Sequence, residues 1–131
     1  MSDATPQQVA QQAYDAFATG DMDALGALLS DDTRWQIGDV PPLNGEYVGR
    51  DQVFGGFLGQ LMQHSGGTFR LEVHDLAGTD RHAFAVVHET AEREGRTLDA
   101  YNSHVMQIEN GKIVRFWASA PDMAAAEAFW A

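Results

Sequence analysis

Arg96-Thr97-Leu98-Asp99-Ala100-Tyr101-Asn102-Ser103-His104-Val105-Met106-Gln107-Ile108-Glu109 is the stretch whose reading decides the fold. As a β-strand it places Leu98, Ala100, Asn102, His104, Met106 and Ile108 on one face, so an amide and an imidazole stand inside an apolar stripe. A buried Asn or His costs stability unless each polar atom finds a partner, and the pattern therefore points to a cavity that receives them. Glu94-Gly95 before the strand and Asn110-Gly111 after it are hairpin signals, so the strand has a neighbour on either side. Upstream, Phe69, Leu71 and Val73 alternate with Arg70, Glu72 and His74, and Phe84, Val86 and His88 alternate with Ala85, Val87 and Glu89. Both read as strands with one buried face, parted by Gly78-Thr79-Asp80, and this reading turns His88 inward beside His104. Downstream, a last strand runs from Lys112 to about Ser119. A two-residue turn at Asn110-Gly111 would set Arg115 on the pocket face opposite Met106. A three-residue turn over Glu109-Asn110-Gly111 sets Val114, Phe116 and Ala118 there and is preferred, because it buries no lone charge. Arg115 and Trp117 then point outward, a pairing suited to a dimer interface.

The first half of the chain changes period. Thr5-Pro6 caps a helix carrying Val9, Ala10, Ala13, Tyr14 and Phe17 up to Gly20, and Asp21 caps a second through Met22, Leu25, Leu28 and Leu29. Thr33 to Ile37 reads as a strand with Trp35 and Ile37 on one face. The proline-bounded stretch from Gly38 to Gly45 reads as a loop across a pocket mouth, holding Asp39 and leading to Tyr47 as a lid. Asp51 caps a third helix with Val53, Phe54, Phe57, Leu58, Leu61 and Met62, ended by Ser65-Gly66-Gly67, and Pro121-Asp122 opens a closing helix from Met123 to Trp130. Helices first and an antiparallel meander last is an α+β order, a curved antiparallel sheet wrapped around helices with a pocket in its concave face.

Bulk properties narrow the function. The 131 residues fit one domain, 1–131, with a core that needs no staples. Cysteine is absent, so thiolate chemistry and disulfides are excluded. The start of the chain has neither the basic residues nor the apolar run of a signal peptide, and no segment is apolar enough to span a membrane, which makes a cytoplasmic protein the expectation. The 19 acidic against 8 basic residues give a net charge of -11, a surface that repels nucleic acid and anionic lipid.

The run from Ala16 to Leu25, the Leu28-Leu29-Ser30-Asp31-Asp32 that follows, the Gly45-Glu46-Tyr47-Val48-Gly49-Arg50-Asp51 stretch and the Asn110-Gly111-Lys112-Ile113-Val114 hairpin resemble the nuclear-transport-factor-2-like superfamily. The likeness spans almost the whole chain and is closest to the SnoaL-like and ketosteroid-isomerase-like branch. It implies a cone-shaped α+β barrel with an apolar pocket, usually a homodimer through the outer sheet face. The branch includes isomerases, dehydratases, polyketide cyclases and epoxide hydrolases, as well as pocket proteins without chemistry. In the steroid-isomerase pattern the aspartate base falls on Ile37, with Asp39 two residues later, the tyrosine on Ala13, beside Tyr14, and the oxyanion-hole aspartate near His104. For an epoxide-hydrolase arrangement Arg96 and Asp99 have the wrong spacing to share a strand face. The nearest analogue is a scytalone-dehydratase-like layout, with histidines on two inner strands and an amide nearby: His88, His104 and Asn102.

These residues favour proton transfer without a cofactor (isomerisation, dehydration or ring closure) on an apolar small molecule. His88 and His104 act as acid and base because imidazole titrates near ~6.5. Asn102 holds a substrate oxygen, Asp39 assists, and Trp35, Tyr14, Tyr47, Phe57, Met106 and Phe116 contribute ligand-binding surface. No third ligand at a recognisable spacing completes a metal site. Two other readings stand beside this one: a binding or carrier protein for an apolar ligand, and a structural homodimer with a vestigial pocket.

Overall fold

The computed structural model describes residues 4–131, so the domain boundary placed at residue 1 lies outside the described residues. Helix α1 spans Pro6–Thr19, opened by a capping box in which Thr5 Oγ1 accepts from Gln8 N and the Gln8 side chain accepts from Thr5 N. Its apolar stripe, Val9, Ala10, Ala13 and Tyr14, is buried, and Gly20 at φ 73 ends it. Helix α2 is short, Met22–Ala27, with Asp21 as cap, and the chain passes directly into β1, Leu29–Gly38. The sequence reading gave Leu28 and Leu29 to the helix. Leu29 instead pairs with Ile113 of β6, Lys112–Ser119, and is fully buried there.

The sheet has six strands in the order β2-β1-β6-β5-β4-β3. The remaining strands are β2 (Gly45–Val48), β3 (Arg70–Gly78), β4 (His82–Arg93) and β5 (Arg96–Glu109). The sheet is mixed rather than antiparallel, because β1 lies parallel to β6, with Trp35 opposite Phe116 and Ile37 opposite Ala118. Strand β2 is an addition to the reading from sequence. It pairs Tyr47 with Trp35 and turns the expected mouth lid into a sheet edge. The third helix begins with a π-helical stretch, Gln52–Leu58, and continues as α3, Gly59–His64. Asp51 makes no cap bond there; Gln52 Oε1 accepts from Val48 N instead. Helix α4, Met123–Trp130, is capped by Asp122 and buries Phe129 and Trp130.

Both hairpin turns flanking β5 are two-residue turns with positive φ at each central position: Glu94 and Gly95 at 50 and 79, Asn110 and Gly111 at 52 and 74. The three-residue turn expected after β5 is therefore replaced by a two-residue one that pairs Glu109 with Lys112. A bulge then intervenes, since Ile108 faces Ile113 while Gln107 faces Arg115. The extra residue is Val114, and it restores the register that sets Phe116 opposite Met106 and His104 opposite Ala118. Phe116 and Ala118 thus reach the buried face as expected, Val114 does not, and Arg115 lies outside with its guanidinium 5.9 Å from the Trp117 ring.

Candidate active site

The register of β4 on β5 decides which side chains meet. Asn102 and His104 face the core, 5% and 4% exposed, as the apolar stripe of β5 requires. Their partners across the ladder are Val87 and Ala85, so the concave face of β4 carries Ala83, Ala85, Val87, Glu89 and Ala91. His88 pairs with Tyr101 and takes the opposite face, with Phe84 and Val86, which are 45% and 40% exposed. The inward placement of His88 is therefore corrected. Its Nε2 lies 2.6 Å from Asp99 Oδ1, and its ring stacks on Tyr101 at 4.7 Å, on the convex side. The physical reason lies in α1, which packs on the concave face with Ala10 and Ala13, where small residues of β4 leave room and Phe84 would not.

The same register brings Glu89, which the sequence reading placed on no site, into the core at 3% exposed. Asp39, just past the end of β1, is 4% exposed rather than solvated in a mouth loop. The carboxamide of Asn102 joins the two: Nδ2 donates to Glu89 Oε1 at 2.8 Å and to Asp39 Oδ2 at 3.3 Å. His104 stands above them, its Nε2 3.7 Å from Glu89 Oε2 and 4.0 Å from Asp39 Oδ2. Its Nδ1 is 2.7 Å from the hydroxyl of Tyr14, on α1. Burial raises the Tyr14 phenol far above its usual range, with Glu89 and Asp39 adding to the effect, so the hydroxyl stays protonated. It donates to Nδ1, which places the imidazole proton on Nε2, toward the carboxylates.

Burial governs the titration of all three groups. Glu89 is pushed up from 4.5 to about 7 by loss of hydration, partly offset by the Asn102 hydrogen bond. Asp39 rises from 3.8 to about 6, through burial first and the adjacent Glu89 charge second. His104 falls from 6.5 to about 4 by burial, against the attraction of Asp39, and is neutral at pH 7. The pair of carboxyl groups, not the imidazole, thus exchanges protons near neutrality.

Asp39, Glu89, His104 and Tyr14 bound one end of a cavity of about 70 Å³ with their polar atoms turned toward one another, and the surface the cavity exposes is apolar, with Trp35, Phe57, Met106 and Phe116 in its wall. Trp35 packs on Phe116 with ring centroids 4.3 Å apart and the planes tilted by 33°, and its indole Nε1–H is buried with no acceptor, as Asp39 Oδ1 is buried with no donor from another residue. An unmet buried donor or acceptor costs ~1–3 kcal/mol. Tyr47 lies outside the cavity wall: its hydroxyl donates to Leu43 O at 2.6 Å and its ring packs on Phe57 at 5.5 Å. Asn102 lies behind the carboxylates, in an outer cleft beneath α4 that Asp39 and Glu89 also line. The two carboxyl groups therefore separate an apolar chamber from a polar cleft.

Residues 10–116 match a family model described as a SnoaL-like domain. An uncharacterized protein of Mycobacterium tuberculosis is 30% identical over 132 residues, covering 100% of both chains. Among solved structures, Bal32a from a soil-derived mobile gene cassette superposes with a TM-score of 0.87 at 27% identity over 94% of each chain. A nuclear-transport-factor-2-like protein of unknown function from Burkholderia pseudomallei has the same fold, with a TM-score of 0.80 at 24% identity over 98% of each chain. No helix among the described residues is long and apolar enough to cross a membrane.

Proposed function

The chain belongs to the SnoaL-like domain family, and on that premise we propose that it is a pocket enzyme moving protons on a small, neutral, mainly apolar organic molecule, with Asp39 and Glu89 as its acid–base pair. The observation that carries the reading is the pair of buried carboxyl groups clipped by one amide directly behind the wall of an apolar cavity, which Asp39 and Glu89 help to line. With Asp39 at about 6 and Glu89 at about 7, one member is ionised while the other still holds a proton between those values. The ionised carboxylate takes a proton from carbon and the protonated one returns it at a second position, which is the proton bookkeeping of isomerisation, dehydration or ring closure. Neutral His104 faces the pair with Nε2, 3.7 Å from Glu89 Oε2 and 4.0 Å from Asp39 Oδ2, and the Tyr14 hydroxyl holds the ring by Nδ1. The Trp35 indole N–H offers a substrate oxygen its hydrogen bond, the role sequence reasoning gave to Asn102.

Size sharpens the substrate class. An engineered cavity of ~150 Å³ just takes benzene, so a chamber of about 70 Å³ admits a ring only if its wall moves. Phe17, Leu58, Phe69 and Leu71 are shared between the chamber and an outer groove, and they form the gate that would turn aside. Leu58 ends the π-helical stretch, a geometry that often marks a functional wall.

Deuterium incorporation in D2O, followed by NMR for a panel of small cyclic ketones and enones, tests the proposal. Wild type and His88→Ala should exchange at equal rates, whereas Asp39→Asn should lose roughly 100-fold or more. Ligand binding without exchange by wild type would instead identify a carrier, and loss of exchange in His88→Ala would return the chemistry to the outer histidine.

The convex face carries a second part of the proposal, a homodimer. Phe84, Val86 and Tyr101 are 45%, 40% and 52% exposed side by side on β4 and β5, a patch that a second copy would cover. Val86→Glu should convert a dimer to a monomer in sedimentation velocity, with far-UV circular dichroism unchanged. A wild type that sediments as a monomer would remove this part.

A further inference from the structure

We infer that Asp39, Glu89 and His104 form a binding site for a first-row divalent metal ion, one imidazole nitrogen and two carboxylate oxygens set on three different segments of the fold. One donor atom from each residue lies within 4.8 Å of the others, and all three residues are buried. The separations of 3.7 Å and 4.0 Å from His104 Nε2 to Glu89 Oε2 and Asp39 Oδ2 exceed hydrogen-bond length. They lie a few tenths of an ångström outside the ~3.3–3.6 Å that separates donors sharing a tetrahedral metal ion. With the third edge no longer than 4.8 Å, a point ~2.0–2.5 Å from every corner exists, and a closure of a few tenths of an ångström brings all three donors to the ~2.0–2.2 Å of carboxylate and imidazole bonds to zinc.

Two independent features of the site favour a cation. The first is the Asp39 carboxylate, 4% exposed, whose Oδ2 faces His104 while its Oδ1 is buried with no donor from any other residue. The second is the outer shell. Asn102 holds one oxygen of each carboxylate in place, and the Tyr14 hydroxyl holds His104 by Nδ1 with its Nε2 directed at the carboxylates. This is how metal ligands are oriented in proteins. Charge agrees as well: two carboxylates and a dication sum to zero in a space where an isolated charge is costly. The polar cleft beneath α4, lined by Asp39, Glu89 and Asn102, provides a way in. The third donor that sequence spacing did not supply is Glu89, delivered by the register of β4 on β5.

On loading, the single imidazole proton moves from Nε2 to Nδ1, leaving Nε2 free to bind the metal and Nδ1–H to donate to the Tyr14 oxygen, and the protons held by the carboxyl groups are released to solvent. Metal and acid–base proton therefore compete for the same oxygens, and the inference does not depend on the catalytic reading. Protein stripped with chelator and titrated at pH 7 with Co2+ alone, then with Zn2+ alone, provides the test. Wild type and His88→Ala should take up one ion per chain, show visible d–d absorption with Co2+, acidify an unbuffered solution and melt several degrees higher with Zn2+. Glu89→Gln, which keeps the shape of the side chain and its acceptor for Asn102, should bind roughly 100-fold more weakly or worse. Absence of stoichiometric uptake by folded wild type overturns the inference. So does uptake that survives Glu89→Gln and disappears in His88→Ala, which would assign the ion to the convex face.

Discussion

Replacing Glu89 by glutamine is expected to stop turnover and stabilise the fold in the same variant. The carboxyl group is held at about 7 in the folded protein against 4.5 ordinarily, so the native state keeps a proton that the unfolded chain has released. Its contribution to stability is therefore complete below pH 4.5 and is lost as pH rises through 7. Asp39, raised from 3.8 to about 6, has the same sign. His104 has the opposite sign, since its value is depressed from 6.5 to about 4: its contribution is full above 6.5 and lost as pH falls toward 4. Between pH 4 and 6.5 the two trends oppose each other. Above 6.5 only the carboxyl groups still titrate, and wild-type stability should fall toward pH 8. Glutamine mimics the protonated acid, and by linkage it should gain about 3 kcal/mol over wild type at pH 8, roughly 12 °C in Tm, with almost no gain at pH 4. Loss of the general acid–base group should lower turnover by roughly 100-fold or more. Urea unfolding at pH 4 and pH 8 checks the first half. A glutamine variant less stable than wild type at pH 8 would mean that Glu89 is ionised in the native state without strain, and the proton-exchange reading of the pair would fail with it.

Such a variant could not have been chosen from periodicity alone, and the reason is specific. Period-two alternation in β4 marks a strand but does not rank its faces, because Phe84 and Val86 on one side are as apolar as Ala85 and Val87 on the other. Apolar volume favours the wrong face. The discriminating signal is the turn: Glu94-Gly95 read as a two-residue hairpin pairs Arg93 with Arg96, and by strict alternation Val87 then meets Asn102 and His88 meets Tyr101. An inward Asn102 thus forces His88 outward and Glu89 inward. The helices, with their Thr5, Asp21 and Asp122 caps, were legible because their signals are local. The parallel β1–β6 pairing was not, since it joins distant segments, with Leu29 against Ile113 and Ile37 against Ala118, through no shared turn. The Val114 bulge escaped for a related reason: it corrects a register set by one turn to satisfy packing against another element. Of the site itself, Asn102 and His104 stand out as polar residues in an apolar stripe, Asp39 is legible as an assisting carboxylate in the loop after β1 and Tyr14 as binding surface on α1, and Glu89 carries no signal of its own. Their convergence depends on the curvature of the sheet.

The amide that sequence reasoning assigned to substrate has its largest expected effect through the carboxylates. Asn102 Nδ2 is the shared donor to Glu89 Oε1 and Asp39 Oδ2, and its hydrogen bonds lower the titration of both groups. Asn102→Leu fits an apolar stripe by volume yet leaves two buried carboxyl groups without that donor. Where both are ionised the loss should be about 3 kcal/mol, roughly 12 °C in Tm at pH 8. At pH 5, where the native pair is protonated, no buried charge loses its donor, and the loss should be less than half as large. The groups also titrate later once the donor is gone, so the acidic limb of the pH–rate profile should move to higher pH, while Asn102→Ser should recover part of both effects if a water completes the bridge. Denaturant unfolding at the two pH values separates this role from simple packing. Equal destabilisation at pH 5 and pH 8 would show that Asn102 fills space beneath α4 and does not govern the charge of the pair.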